Sequence, residues 1–226
     1  MLNKKATVPT GFQTGTTTLG ITYKDGVVLA SESRVSEGYY IASKTGKKVL
    51  KIDDHIGMTI AGSVADAQAM VDQAKALVKL YFYDKGRKMT VKAASKLISN
   101  ILFGQRPYYL MTALLIGGVD DDGPHLYSLD PAGSLIPDKF TSTGSGSVVA
   151  YGVLEDSFKD GLTEKEAVEI SIRAISAAKK RDVFSGNKVS VAVINKQGFR
   201  FLSDEEIDKF ESQAAKSSRD QAEMRA

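Results

Sequence analysis

Residues 16 to 35 read TTTLGITYKDGVVLASESRV, and this stretch indicates the fold class. It holds two runs rich in β-branched and apolar residues, Thr16 to Tyr23 and Val27 to Ala30, on either side of Lys24-Asp25-Gly26. An Asp-Gly pair between two such runs is typical of a tight β-hairpin. The sequence therefore predicts an antiparallel sheet that begins near residue 16.

The remaining chain alternates between blocks of strands and blocks of helices. Strand patterns fall at residues 39–42, 48–52, 56–61, 110–119, 125–129, 135–141, 188–194 and 199–202. Helical spacing of apolar residues falls at 65–83, 90–102, 147–158, 163–178 and from 203 onward. Capping signals support three of these helix starts, at Thr90, at Thr163 with Glu166, and at Ser203 with Glu206.

Helices fall in pairs between groups of strands, whereas a doubly wound sheet would alternate single strands and single helices. We therefore expect an α+β fold, a four-layer αββα sandwich of two antiparallel sheets, formed by one domain over residues 16–212. Pro137 predicts an edge or a bulge in the strand at 135–141. Residues 213–226 are polar and are predicted to form a tail.

Composition excludes several classes of site. The 226 residues are 42% hydrophobic and 25% charged with a net charge of +3, which gives no argument for a nucleic-acid partner. The absence of cysteine excludes disulfides, thiolate metal sites and a cysteine nucleophile. Two histidines, His55 and His125, are not in ligand spacing, so both are expected at the surface or in turns, and no metal or cofactor is expected.

No stretch of the sequence approaches the roughly 20 apolar residues that a membrane span requires. The first fifteen residues are polar and lack the apolar region of a secretory signal. We therefore predict a cytoplasmic protein with no membrane partner.

The segment Thr14-Gly15-Thr16 is the first candidate for chemistry. On composition alone, it is best interpreted as the start of a β-branched strand. Cleavage after Gly15, however, would give Thr16 a free α-amine beside its own hydroxyl, with a pKa near 8. One residue would then supply both nucleophile and base, which suits a chain with few histidines.

Four further motifs follow in order along the chain: GKKV at 46–49, MTIAG at 58–62, STGSGS at 142–147 and RDVFSG at 181–186. Together with residues 16–35, they resemble the β subunits of the proteasome core particle. The resemblance covers nearly all of the chain except the leader and the part after about Glu211. It implies the fold of the N-terminal nucleophile hydrolases and a threonine peptidase.

The same resemblance implies roles for single residues. Thr16 matches the nucleophile, Lys48 the buried lysine beside it, Glu32 the acid that holds this lysine, and Gly62 the backbone N–H donor of the oxyanion hole. The polar cluster around the α-amine is matched by Ser145, Asp182 and Ser185. Structural interpretations stay open for each, such as an exposed strand lysine at 48 or a turn glycine at 62. Many family members carry Asp at the position of Glu32.

The specificity-pocket positions of the family fall on mostly uncharged residues. They are Val35, Ser36, Gly46, Ile60 and Val64, with Gln68 at the rim. An uncharged pocket with a glycine in its wall leaves room for a large apolar side chain. We therefore predict cleavage after such residues, the chymotrypsin-like preference.

By resemblance, residues 1–15 form a propeptide that autocatalytic cleavage removes between Gly15 and Thr16. The mature subunit would stack with α subunits and other β subunits as α7β7β7α7, and a regulatory ATPase ring would feed it unfolded proteins. Two alternatives remain: a non-catalytic structural subunit of the same ring, and another N-terminal nucleophile hydrolase such as an amidase or the bacterial two-ring protease. The first is weakened because the expected site residues are present, and the RDVFSG motif argues against amidases.

Overall fold

The hairpin predicted around Asp25-Gly26 opens the fold. Its strands β1 (Thr18–Tyr23) and β2 (Gly26–Glu32) pair antiparallel, with Tyr23 opposite Gly26. The structure is a computed structural model that describes residues 15–212. The rest of the predicted leader, residues 1–14, and the predicted tail, residues 213–226, lie outside the described residues.

Within the described residues, the other strands pair antiparallel with their neighbours, as in the hairpin. They are β3 (Val35–Glu37), β4 (Tyr40–Ser43), β5 (Val49–Asp53), β6 (Ile56–Gly62), β7 (Thr112–Asp120), β8 (Gly123–Leu129), β9 (Ile136–Pro137), β10 (Phe140–Thr143), β11 (Val189–Asn195) and β12 (Gly198–Phe201). The helices are α1 (Val64–Lys85), α2 (Val91–Gly104), α3 (Ser147–Ser157), α4 (Glu164–Arg181) and α5 (204–212).

Two five-stranded sheets form the centre of the fold. The first sheet has the strand order β10-β1-β2-β11-β12, and the second has the order β5-β6-β7-β8-β9. Strands β3 and β4 form a separate small hairpin. The sheets face each other across a cluster of buried apolar side chains that includes Leu29, Leu115 and Leu126.

Helices cover the outer face of each sheet. The pair α3 and α4 packs on the first sheet, where Ala167, Ala174 and Ile175 of α4 are fully buried. The pair α1 and α2 packs on the second sheet. The layers follow the order helix, sheet, sheet, helix, which confirms the predicted αββα sandwich of antiparallel sheets.

The helix boundaries follow the signals in the sequence. Helix α1 ends at Lys85 and is capped by Gly86, which adopts the left-handed conformation with φ 65°. The Thr90 side chain accepts a hydrogen bond from the backbone N–H of Ala93 at the start of α2. Thr163 and Glu166 form the predicted capping box of α4.

One expectation was wrong in part. The single strand predicted at 135–141 is two strands, because the chain leaves the second sheet after β9 and enters the first sheet at β10. Pro137 does lie in an edge strand, as predicted. His55 lies in a turn, as expected, and is buried there, with its Nε2 atom 2.8 Å from the carbonyl oxygen of Met89.

Candidate active site

Thr16 lies just before β1, at one end of the sandwich, and is only 5% exposed. Its backbone N–H donates to the Ser145 hydroxyl at 3.1 Å. Its carbonyl oxygen accepts from the backbone N–H of Gly146 at 3.3 Å. The turn that precedes α3 therefore holds Thr16 through its main-chain atoms, and these contacts do not involve the Thr16 side chain.

The three predicted polar residues Ser145, Asp182 and Ser185 are brought together by the ends of α3 and α4. Both serine hydroxyls donate to Oδ2 of Asp182 at 2.6 Å. A serine hydroxyl has a single hydrogen, so Ser145 accepts from the Thr16 N–H while it donates to the carboxylate. A continuous chain of hydrogen bonds thus links the Thr16 nitrogen to a negative charge.

Thr17 extends this network on its other side. Its hydroxyl lies 2.7 Å from the hydroxyl of Ser185, and its backbone N–H donates to Oε1 of Glu32 at 3.2 Å. One residue therefore connects the Asp182 cluster to the Glu32 carboxylate.

Glu32, the last residue of β2, is fully buried. Its carboxylate accepts from the ammonium of Lys48 and from three backbone N–H groups, those of Thr17, Arg34 and Gly186. A buried carboxylate is tolerated only when its oxygens are satisfied in this way. The longer acid at this position therefore reaches the lysine, and the expected Glu32–Lys48 pair is present.

Lys48 is 6% exposed, which excludes the exposed strand lysine considered above, while its neighbour Lys47 is exposed. Lys48 donates to Glu32 and to the carbonyl oxygen of Arg34. Burial lowers the pKa of Lys48 from its usual value, although the Glu32 carboxylate opposes this shift. Because an ammonium has three donors, one position on the nitrogen is left for a further group.

Thr16 and Lys48 open into one cavity of about 390 Å³. Gly15, Gly62 and the predicted pocket residues Val35, Ser36, Gly46, Ile60 and Gln68 line the same cavity. Thr45, Lys47 and Leu50 also line it and were not predicted. Val64 begins α1 next to this wall, but its side chain is outside the described part of the chain.

The structure confirms the turn interpretation of Gly62, while its role as the oxyanion-hole donor stays a prediction. It ends β6 with φ +119°, a conformation that L side chains rarely adopt, so glycine is required by the turn into α1. It also lines the cavity that contains Thr16. Its backbone is therefore near a group that would bind at Thr16.

A family model described as "Proteasome subunit" matches residues 12–194 of the chain. The chain belongs to the proteasome family. Its relatives include proteins named "Proteasome subunit beta" from Methanothermobacter thermautotrophicus, 54% identical over 196 residues, and Methanocaldococcus vulcanius, 49% identical over 197 residues. These alignments cover 86% of this chain and 93% and 88% of the relatives. The chain is thus a β-type subunit.

Some contacts of this proteasome subunit were missed by reasoning from sequence. The carbonyl of Arg34 holds Lys48, and the hydroxyl of Thr17 joins two polar clusters. Both residues lie within the quoted stretch 16–35, so position in the motif was the available signal. Between residues 15 and 212, no group of three or more potential ligands is placed to bind a metal ion. No helix in that part of the chain is long and apolar enough to cross a bilayer.

Proposed function

We propose that this proteasome β subunit is a threonine endopeptidase whose nucleophile is the hydroxyl of Thr16. The strongest support is that both the nitrogen and the side chain of Thr16 have partners suited to this chemistry. Its nitrogen is held by the Ser145–Asp182 network, and its side chain shares a cavity with a buried lysine of lowered pKa. A structural residue at the start of a strand needs neither.

In the mature subunit, the free α-amine of Thr16 takes the hydroxyl proton, directly or through a water molecule. The oxygen attacks the substrate carbonyl and forms an ester, and the departing amine leaves with the proton. Water then hydrolyses the ester and restores the hydroxyl. The positive charge of the Lys48 ammonium stabilises the developing alkoxide. A Gly62 N–H donor to the oxyanion would contribute about 3–4 kcal/mol.

Removal of residues 1–15 uses the same hydroxyl with a different base, because the Thr16 nitrogen is still a peptide amide. Neutral Lys48, made accessible by its lowered pKa, accepts the hydroxyl proton. The oxygen attacks the Gly15 carbonyl, the carbon–nitrogen bond breaks, and the nitrogen takes up the proton. Hydrolysis of the resulting ester releases a leader that ends in the Gly15 carboxylate and completes the propeptide's removal.

The cavity supports a preference for large apolar residues in substrates. The predicted specificity positions in its wall are mostly uncharged, and Gly46 adds no side chain to it. A panel of fluorogenic peptides tests the preference. We expect the highest kcat/KM after Leu, Phe or Tyr, and faster cleavage after Arg or Asp would contradict it.

The relatives are named as proteasome β subunits, and we propose that this chain assembles in the same way with α subunits and other β subunits as α7β7β7α7. Active sites enclosed inside the rings would be reached only by unfolded chains that a regulatory ATPase ring supplies, which would restrict a peptidase of broad specificity. The cytoplasmic location and the polar tail at 213–226 stay predictions.

Intact mass after co-expression with the matching α subunit separates a catalytic subunit from a structural one. We expect wild type to lose residues 1–15 and to cleave peptides, while Thr16→Ala keeps its full length and is inactive. A wild-type chain that stays full-length and inactive inside assembled rings would favour the structural alternative.

A further inference from the structure

The α-carbon of Gly15 has no free space on its side-chain side. A Cβ built on Gly15 would lie 2.0 Å from Cβ of Phe184, 2.4 Å from Cγ of Phe184 and 2.7 Å from Oγ of Ser145. The first atom is bonded to the backbone of Phe184, so rotation of the ring does not relieve the overlap. Any side chain at position 15 therefore requires the main chain at 184, or that at 15, to move.

Hydrogen bonds on both sides restrict such a movement. The Gly15 N–H donates to the Ser36 hydroxyl at 3.3 Å, and the Thr16 N–H donates to the Ser145 hydroxyl at 3.1 Å. On the opposite wall, the Phe184 N–H donates to Oδ1 of Asp182 at 3.3 Å. A shift of Phe184 would therefore disturb the carboxylate that orients Ser145.

Phe184 does not belong to the cavity that would take the side chain of a substrate. The cavity is lined by residues such as Val35 and Gly46, and Phe184 is not among them. Gly15 itself lines the cavity, but a side chain added at position 15 would point toward Phe184, which lies outside the cavity wall.

We propose that Phe184 is a positioning residue for self-cleavage, which restricts residue 15 to glycine and holds the Gly15 carbonyl where Thr16 attacks. This inference rests on the proposed function. The leader's last residue is selected by backbone space at Phe184, while substrates are selected by the cavity that Thr16 and Lys48 share. Phe184 makes and breaks no bond in the reaction and acts only through the placement of the Gly15 peptide group.

A double-mutant cycle tests the coupling between the two residues. The rate of leader loss is measured by intact mass in chains co-expressed with the matching α subunit. We expect Gly15→Ala to slow leader loss about a hundredfold with Phe184 present, but only about threefold in the background of Phe184→Gly. The double variant Gly15→Ala with Phe184→Ala should stay slow, because alanine keeps the Cβ that causes the overlap.

A second measurement does not depend on how well Phe184→Gly folds. In the uncleavable Thr16→Ala precursor, a crystal structure of the additional Gly15→Ala variant should show the main chain displaced by about 1 Å or more at Phe184 or at residue 15. The proposal is overturned if neither residue 15 nor Phe184 has moved, or if Gly15→Ala has an equal effect in both backgrounds. If wild type itself keeps its leader in assembled rings, the proposed function fails; if wild type matures but the coupling is absent, only the role of Phe184 fails.

Discussion

At the residue scale, the carboxylate of Glu32 is the most connected group of the site, with four donors on two oxygens. In Glu32→Gln, an amide NH₂ would face these donors and Lys48 would lose its counter-charge. Breaking one partner of a buried ion pair typically costs about 3–5 kcal/mol. We expect denaturant unfolding of the precursor to show a loss of that size, together with slower leader removal.

Glu32→Asp is the matched control, because it keeps the charge and removes one methylene. It should lose less stability than Glu32→Gln and keep a measurable rate of leader removal. Equal stability of wild type and Glu32→Gln would show that the pair contributes nothing.

Lys48 predicts a pH dependence of self-cleavage. Burial lowers its pKa from 10.5, so the neutral amine becomes populated at lower pH than in a free lysine. The rate of leader loss should therefore rise with pH up to that lowered pKa and then level off. Lys48→Arg stays protonated throughout this range, so its rate should be low and flat. A rising profile in Lys48→Arg would assign the base elsewhere.

The same shift has a consequence for stability with a defined sign. Between the lowered pKa and 10.5, the unfolded chain binds more protons at Lys48 than the folded chain does. The free energy of unfolding therefore increases with pH across that window, which means that the folded protein becomes more stable.

At the element scale, the capping box of α4 offers a test that leaves the site in place. The Thr163 hydroxyl accepts from the Glu166 N–H at 3.3 Å, and the Glu166 carboxylate accepts from the Thr163 N–H at 2.9 Å. Thr163→Ala should cost about 1 kcal/mol, or a decrease in Tm of about 2–4 °C for a chain of this size.

Leader loss should be unchanged in Thr163→Ala, because Asp182 lies at the other end of α4, about 28 Å away at 1.5 Å per residue. Thr163→Ser keeps the hydroxyl and should restore most of the Tm. A marked loss of cleavage in Thr163→Ala would mean that the whole helix positions Asp182.

Turns and helix caps depend on a few neighbouring residues and were predictable from sequence. The assignment of a strand to one sheet or the other depends on distant residues and was less predictable. The Asp25-Gly26 turn and the caps at Thr90 and Thr163 act over a few residues and were confirmed. The split of 135–141 depends on which sheet each half joins, a long-range choice that periodicity does not encode. Strand β3 was missed because it has three residues.

The candidate site divides in the same way. The motifs predicted that Lys48 is buried beside Glu32, and the structure brings them together. The close approach of Phe184 to Gly15 joins residues 169 positions apart, and no local pattern indicates it. Such a contact emerges only when the end of α4 is folded back against the start of β1.

At the scale of the whole molecule, the site depends on how the two sheets are held against each other. Glu32 ends β2 of the first sheet, whereas Lys48 precedes β5 of the second sheet. Leu29, three residues before Glu32, is fully buried in the cluster between the sheets. Its side chain occupies the space beside Gly57 and Gly117, where a Cβ would lie 2.9 and 3.2 Å from its methyl carbons.

Leu29→Ala therefore should affect both stability and chemistry. Loss of a buried leucine side chain typically costs about 2–5 kcal/mol, and the residual cavity would let the sheets shift. We expect leader loss to slow in parallel, because Glu32 and Lys48 are fixed to different sheets. Leu102→Ala is the matched control: this leucine is equally buried, but it lies in α2 on the outer face of the second sheet. It should lose similar stability with little change in leader loss. Similar slowing in both variants would show that overall stability, rather than the contact between the sheets, limits self-cleavage.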